Sequence, residues 1–151
     1  MFVCTTFHPN VKELVFRHVM FGDQLNDNMI LGIGTDIVDT RRIQAAMKRH
    51  PDRFVKTCFT DTEIEQSQDQ ASYFAKRFAV KEAVYKSLGV KGCNWREAET
   101  VSAPNGAPQV TLTGRCKTAL ESLTPPGYEA NLCVSISDEP PYAMAFVVIG
   151  A

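Results

Sequence analysis

One helix constrains this chain more than any other segment. Residues 72–88, SYFAKRFAVKEAVYKSL, read as its best helix, with Gly89 placed to close it. At 3.6 residues per turn, Ala75, Ala79, Glu82 and Lys86 share one face, with Phe74, Phe78 and Tyr85 beside it. Two alanines below an acid and a lysine leave a surface on which a large ligand can lie. Glu82 and Lys86 are also an ordinary i, i+4 pair, worth roughly 0.2–0.5 kcal/mol, while Arg77 and Lys81 form a second such pair of like charge. Lys76, Arg77, Lys81 and Lys86 crowd onto three turns and repel one another unless an anion compensates them. One acid among several bases suits a metal–phosphate complex, in which the carboxylate holds a divalent cation and the bases meet phosphate oxygens.

The stretch MILGIGTDIV reads as a strand, with Leu31, Ile33 and Ile37 on one face and Gly32, Gly34 and Asp36 on the other. Its glycines do not make a dinucleotide turn, because Ile37 stands where the third glycine of G-x-G-x-x-G belongs. They leave the Asp36 face bare, so a ligand or a neighbouring backbone can approach that carboxylate closely. Two readings stay open here: a site built around Asp36, or tight packing alone with Asp36 capping the next helix.

The rest of the chain punctuates clearly. Asp39–Thr40 can cap a helix from Arg41 to about Arg49, stopped by His50–Pro51. Thr60 and Glu63 form a capping-box pattern. A turn at Pro104–Gly106 precedes a strand at Gln109–Thr113, and Gly114 to about Leu123 reads as a helix ended by Pro125–Gly127. LCVSISDEPPYAMAFVVIG looks like two strands joined at Asp138–Pro141. Strands gathered in the second half with helices between them predict an α+β fold with a mainly antiparallel sheet. Residues 29–151 are expected to form one domain, and residues 1–28 an appendage or upstream-start extension.

Composition removes several function classes. The net charge of −1 offers no basic field for broad nucleic-acid binding. No run approaches the roughly 18 apolar residues of a membrane span. Five scattered cysteines without a C-x-x-C pair or an adjacent histidine argue against zinc and for reduced thiols in the cytoplasm. His8, His18 and His50 lie outside every motif, which argues against an imidazole-based triad.

GIGTDIVD and RFAVKEAVYKSLG together resemble the holo-acyl-carrier-protein synthase family, the small 4′-phosphopantetheinyl transferases. Phe78, Lys81, Glu82, Ala83 and Lys86 fill that family's W/F-x-x-K-E-A/S-x-x-K helix in register, and Asp36 its G-x-D strand. The similarity runs from Met29 to the end and includes CFTDTEIE, the N-G-x-P turn and the closing VSISDE…AFVVIG pair.

The resemblance implies a transferase that moves 4′-phosphopantetheine from coenzyme A to a serine of apo-acyl carrier protein in fatty acid biosynthesis, releasing adenosine 3′,5′-bisphosphate. It implies that Asp36 and Glu82 hold Mg²⁺, that Lys86 meets a phosphate and steadies the leaving group, and that Arg77 and Lys81 reach phosphates. Gly89 would let the chain pass close to the coenzyme. Family members look like homotrimers with sites between protomers. The basic run Arg41, Arg42, Lys48, Arg49, Arg53 and Lys56 is assigned to docking the acidic carrier, with Arg42 and Arg53 its best-matched arginines. Three departures surround the expected coenzyme pocket: Cys133 replaces a common histidine, Ala107 a basic residue, and the loop after Gly89 is short. A non-catalytic member that binds coenzyme A or a carrier is the competing reading.

Overall fold

A computed structural model describes residues 29–68 and 70–151, so the expected N-terminal extension lies outside the described residues. The framework is a three-stranded antiparallel sheet in the order β1-β5-β4, formed by β1 (Ile30–Asp39), β5 (Tyr142–Gly150) and β4 (Asn131–Glu139). The β4–β5 turn falls where the Asp138–Pro141 signal put it. A separate hairpin pairs β2 (Ala98–Ser102) with β3 (Pro108–Leu112). Among the described residues there are five α-helices: α1 (Thr40–Arg49), α2 (Pro51–Cys58), α3 (Asp61–Ser67), α4 (Ala71–Leu88) and α5 (Gly114–Leu123).

The helix α4 lies against the inner face of the sheet, and the two glycines of β1 are the reason it fits. A Cβ on Gly32 would overlap the carbonyl oxygen of Ser87, and one on Gly34 that of Ala83. The bare strip beside Asp36 is therefore filled by the backbone of α4, not held open for a ligand. Ala75, Ala79 and Ala83 of α4 are fully buried, as are Ala145, Val147 and Ile149 of β5. Small side chains on both elements allow this close approach, and the larger ones pack around it. Phe59 and Phe74 meet with ring centroids 4.7 Å apart, and Trp95 lies 4.9 Å from Phe78.

The other face of the sheet is unexpectedly bare. Ile33 and Ile37 of β1 are 55% and 62% exposed, and their neighbours Met144 and Phe146 on β5 are 43% and 42% exposed. The side of β1 that carries Ile33 and Ile37 is thus the outer one, because the glycine face is the side that receives α4.

Local signals otherwise translate directly. Asp39 caps α1 by accepting from the Arg41 amide. The Thr60–Glu63 capping box forms with both bonds present. Gly89 ends α4 in the left-handed region at φ 67°, its amide bonded to the Lys86 carbonyl. Pro51, read as a stop, also serves as the first residue of α2, where its missing N–H costs nothing. Neither α2 nor β2 carried a period strong enough to be read from sequence.

Candidate active site

Asp36 points inward from β1 to α4, where Glu82 and Lys86 lie one turn apart. The Lys86 ammonium donates to Asp36 Oδ1 at 2.8 Å and to the Thr35 carbonyl at 2.9 Å. Its side chain is 45% exposed against 17% for Asp36, so the lysine is free to turn outward while the carboxylate is held. Glu82 is half-buried, and its carboxylate makes no hydrogen bond among the described residues. Burial first, and the Asp36 charge second, push its carboxyl above the usual range, while Lys86 partly opposes them. Two carboxylates and one half-exposed ammonium thus converge at the β1–α4 contact, where the two sequence motifs meet.

Asp39 stands apart from this set. Arg41 grips it at 2.7 Å, and that guanidinium holds the Asp39 carboxyl below its usual value. Its role is the helix cap.

The remaining bases of α4 do not gather at the carboxylates. The ammonium of Lys81, expected at a phosphate, is fully buried and donates to Glu63 Oε2 at 2.9 Å, to the Trp95 carbonyl at 3.0 Å and to the Ala98 carbonyl at 2.6 Å. Three N–H bonds meet three protein acceptors, so the phosphate reading of Lys81 gives way to a structural one. Arg77 lies on the same flank: its Nη2 donates to Ser102 Oγ at 2.6 Å and its guanidinium sits 4.0 Å from the Tyr73 ring centroid. Neither cation joins Asp36 and Glu82. Lys76 pairs with Asp138 at 3.4 Å. Of the four charges that needed an anion, Lys76, Lys81 and Lys86 each find a carboxylate, while Arg77 meets only a hydroxyl and a ring and its buried Nε has no hydrogen-bond partner among the described residues.

Gly89 is exposed, and its evident constraint is the positive φ of the helix end. Cys133 is exposed on β4 opposite Val148, on the outer face of the sheet away from Asp36. Arg42 and Arg53 are exposed on α1 and α2. A hollow of about 560 Å³ lies between these helices and α3, lined by Met47, Lys48, Asp52, Val55, Lys56 and Ile64 among others, and it does not include the carboxylates. Sequence reading missed two participants, the Thr35 carbonyl that seats Lys86 and the Glu63 carboxylate that takes Lys81. Backbone acceptors leave no trace in residue type, and Glu63 was already accounted for as a helix cap.

A family model described as the 4′-phosphopantetheinyl transferase superfamily matches residues 32–145, a span that contains most of β1, all of α4 and the first part of β5. The chain belongs to that superfamily. Among its relatives in the superfamily is the holo-[acyl-carrier-protein] synthase of Rhodopseudomonas palustris (strain BisA53), 46% identical over 133 residues, 82% of this chain and 96% of the relative. The phosphopantetheinyl transferase fold is equally plain in solved structures. The holo-[acyl-carrier-protein] synthase from Neisseria meningitidis superposes with a TM-score of 0.70 at 33% identity, covering 80% of this chain and 98% of that one. The Helicobacter pylori synthase, solved in complex with coenzyme A, gives 0.67 at 30% identity over 78% and 98% of the two chains. The α+β, mainly antiparallel architecture expected from sequence is the one observed. Among the described residues no helix is long and apolar enough to cross a membrane.

Proposed function

We propose that this chain transfers 4′-phosphopantetheine from coenzyme A to a serine hydroxyl of apo-acyl carrier protein, a step of fatty acid biosynthesis, with Asp36, Glu82 and Lys86 as its catalytic set. The observation that carries this reading is the convergence of those three groups from β1 and α4 in a member of this superfamily. The names of its relatives and the coenzyme A bound to one of them point the same way. The serine oxygen bonds to the phosphorus next to pantetheine, and the bond from that phosphorus to the departing adenosine 3′,5′-bisphosphate breaks.

The donor set fits Mg²⁺. Both carboxylates offer hard oxygens, and Glu82 carries a repulsion from Asp36, only partly opposed by Lys86, of the kind a cation removes. Mg²⁺ held by Asp36 and Glu82 would supply charge neutralisation to the diphosphate during displacement. Lys86 turns from Asp36 to a phosphate oxygen and steadies the leaving group, and its partial exposure supports that movement. The Thr35 carbonyl keeps the resting ammonium at the site.

The assembly we favour is a homotrimer. Ile33, Ile37, Met144 and Phe146 form an exposed apolar sheet face directly behind the catalytic strand, and a second copy covers such a face well. Cys133 shares that outer face, so it can serve a coenzyme site only across a protomer boundary. Arg42 and Arg53 steer the acidic carrier to α1 and α2, an effect that weakens with salt. The deciding assay follows pantetheine-labelled coenzyme A and apo-acyl carrier protein with Mg²⁺ present. Labelled carrier with equimolar adenosine 3′,5′-bisphosphate supports the reading. Coenzyme A binding without release of that product, across several bacterial carriers, overturns it in favour of a non-catalytic binder.

A further inference from the structure

Away from the carboxylates, the fold gathers a second and chemically different set of donors. The thiols of Cys93 and Cys116 and a carboxylate oxygen of Glu97 all lie within 4.8 Å of one another. They come from three places: the loop after α4, the short 3₁₀ turn Trp95–Glu97, and the first turn of α5. Cys116 is fully buried, while Cys93 and Glu97 are half-buried, so the cluster is lined by protein yet open on one side.

Several bonds that involve none of the three ligand atoms of a metal site hold these segments in place. Tyr85 Oη donates to the Asn94 carbonyl at 3.0 Å, Arg115 Nη1 to the Gly92 carbonyl at 3.1 Å, and the Thr113 amide to the Glu97 carbonyl at 2.9 Å. The Glu97 carboxylate is itself oriented, accepting through Oε2 from the amides of Arg115 at 3.1 Å and Cys116 at 3.4 Å. Gly114, at φ 51°, leaves the space that carboxylate occupies, because a Cβ there would stand 2.7 Å from Glu97 Oε1. The scaffold is fixed before any ligand arrives.

We propose that Cys93, Glu97 and Cys116 form a binding site for a thiophilic divalent cation such as Zn²⁺, with solvent in the fourth position. Two thiolates at about 2.3 Å from zinc stand about 3.8 Å apart in a tetrahedron, so the two sulfurs close by about 1 Å at most. Binding releases the two thiol protons to solvent and leaves the donors as two thiolates and one carboxylate. Sulfur ligands select against Mg²⁺, and the oxygen pair at Asp36 and Glu82 does not offer the softness zinc favours. The bound ion ties the loop after α4 to α5 a few residues beyond Gly89, which stiffens the segment that follows the catalytic helix.

The test uses the full chain, reduced and freed of metal with a chelator, and titrated with Co²⁺. A thiolate-to-cobalt charge-transfer band that saturates at one equivalent, bleaches on adding Zn²⁺, and disappears in Cys93→Ser supports the site. The band should persist in Asp36→Ala and in Cys133→Ser, which separates it from the carboxylate pair and from the exposed thiol. Glu97→Gln retains an acceptor for the α5 amides and should weaken Co²⁺ binding by roughly tenfold or more. Zn²⁺ should raise the thermal midpoint of the parent and leave that of Cys93→Ser unmoved. No band in protein whose thiols titrate as fully reduced, or a band that survives Cys93→Ser, overturns the proposal.

Discussion

Two lysines of α4, five residues apart, make ion pairs of nearly the same length and opposite consequence. Lys86 meets Asp36 at 2.8 Å with its side chain 45% exposed, while Lys81 meets Glu63 at 2.9 Å with neither side chain exposed at all. The motif that contains both treats them alike. Their surroundings do not. Lys86 has one side in water, whereas Lys81 is saturated by a carboxylate and two carbonyls and has nowhere to go. Burial, not charge or spacing, separates the solvent-facing lysine from the structural one. Burial also draws the Lys81 ammonium below its usual value, with Glu63 as the chief opposing influence.

The sharpest way to break this contrast is Lys81→Met. It leaves Glu63 buried without its cation and the Trp95 and Ala98 carbonyls without a donor, and should cost about 3–5 kcal/mol of stability. Urea unfolding measures it, and a loss below about 1 kcal/mol would mean that the pair does not hold the 3₁₀ turn and β2 to α4. Next in size is Asp36→Ala. Carrier modification should fall by roughly 10²–10³-fold, the scale on which losing one preorganised electrostatic group is felt. Stability should change by less than about 1 kcal/mol, because the partner lysine is well solvated. Loss of both activity and fold in this variant would erase the distinction between the two pairs.

The same contrast explains what could be read from sequence. The meeting of Asp36 with Glu82 and Lys86 was legible because each sits in a short pattern, and Gly89 and the Thr60–Glu63 box because caps are local. Lys81 was misassigned because its anion stands 18 residues away on another helix, and two of its three acceptors are backbone carbonyls. The glycines of β1 announced a close approach without saying by what, and the backbone of α4 turned out to be the answer. Cys93 and Cys116 looked unrelated because only the turn from α4 through the β2–β3 hairpin to α5 brings them together.

Glu82 gives the smallest effect and the most specific one. Burial and the Asp36 charge raise its folded-state pKa above the unfolded value, so the folded protein binds that proton more tightly. The stability tied to the protonated form is present below the ordinary carboxylate pKa and is lost as pH rises through the raised folded value. Above that value the ionised carboxylate is a net cost to the fold. Glu82→Gln, which cannot ionise, should therefore match the parent at low pH and exceed it near neutrality. Since Glu82 is only half-buried the gain should stay below about 1 kcal/mol, or roughly 2–4 °C in Tm for a chain of this size. Adding Mg²⁺ should narrow the gap by relieving the parent's repulsion, while the variant, short of a ligand, stays still and transfers little. A gain that is the same at every pH would show that the cost lies in packing instead of charge. A gap that Mg²⁺ leaves untouched would separate Glu82 from the metal role and leave Asp36 and Lys86 to account for the site.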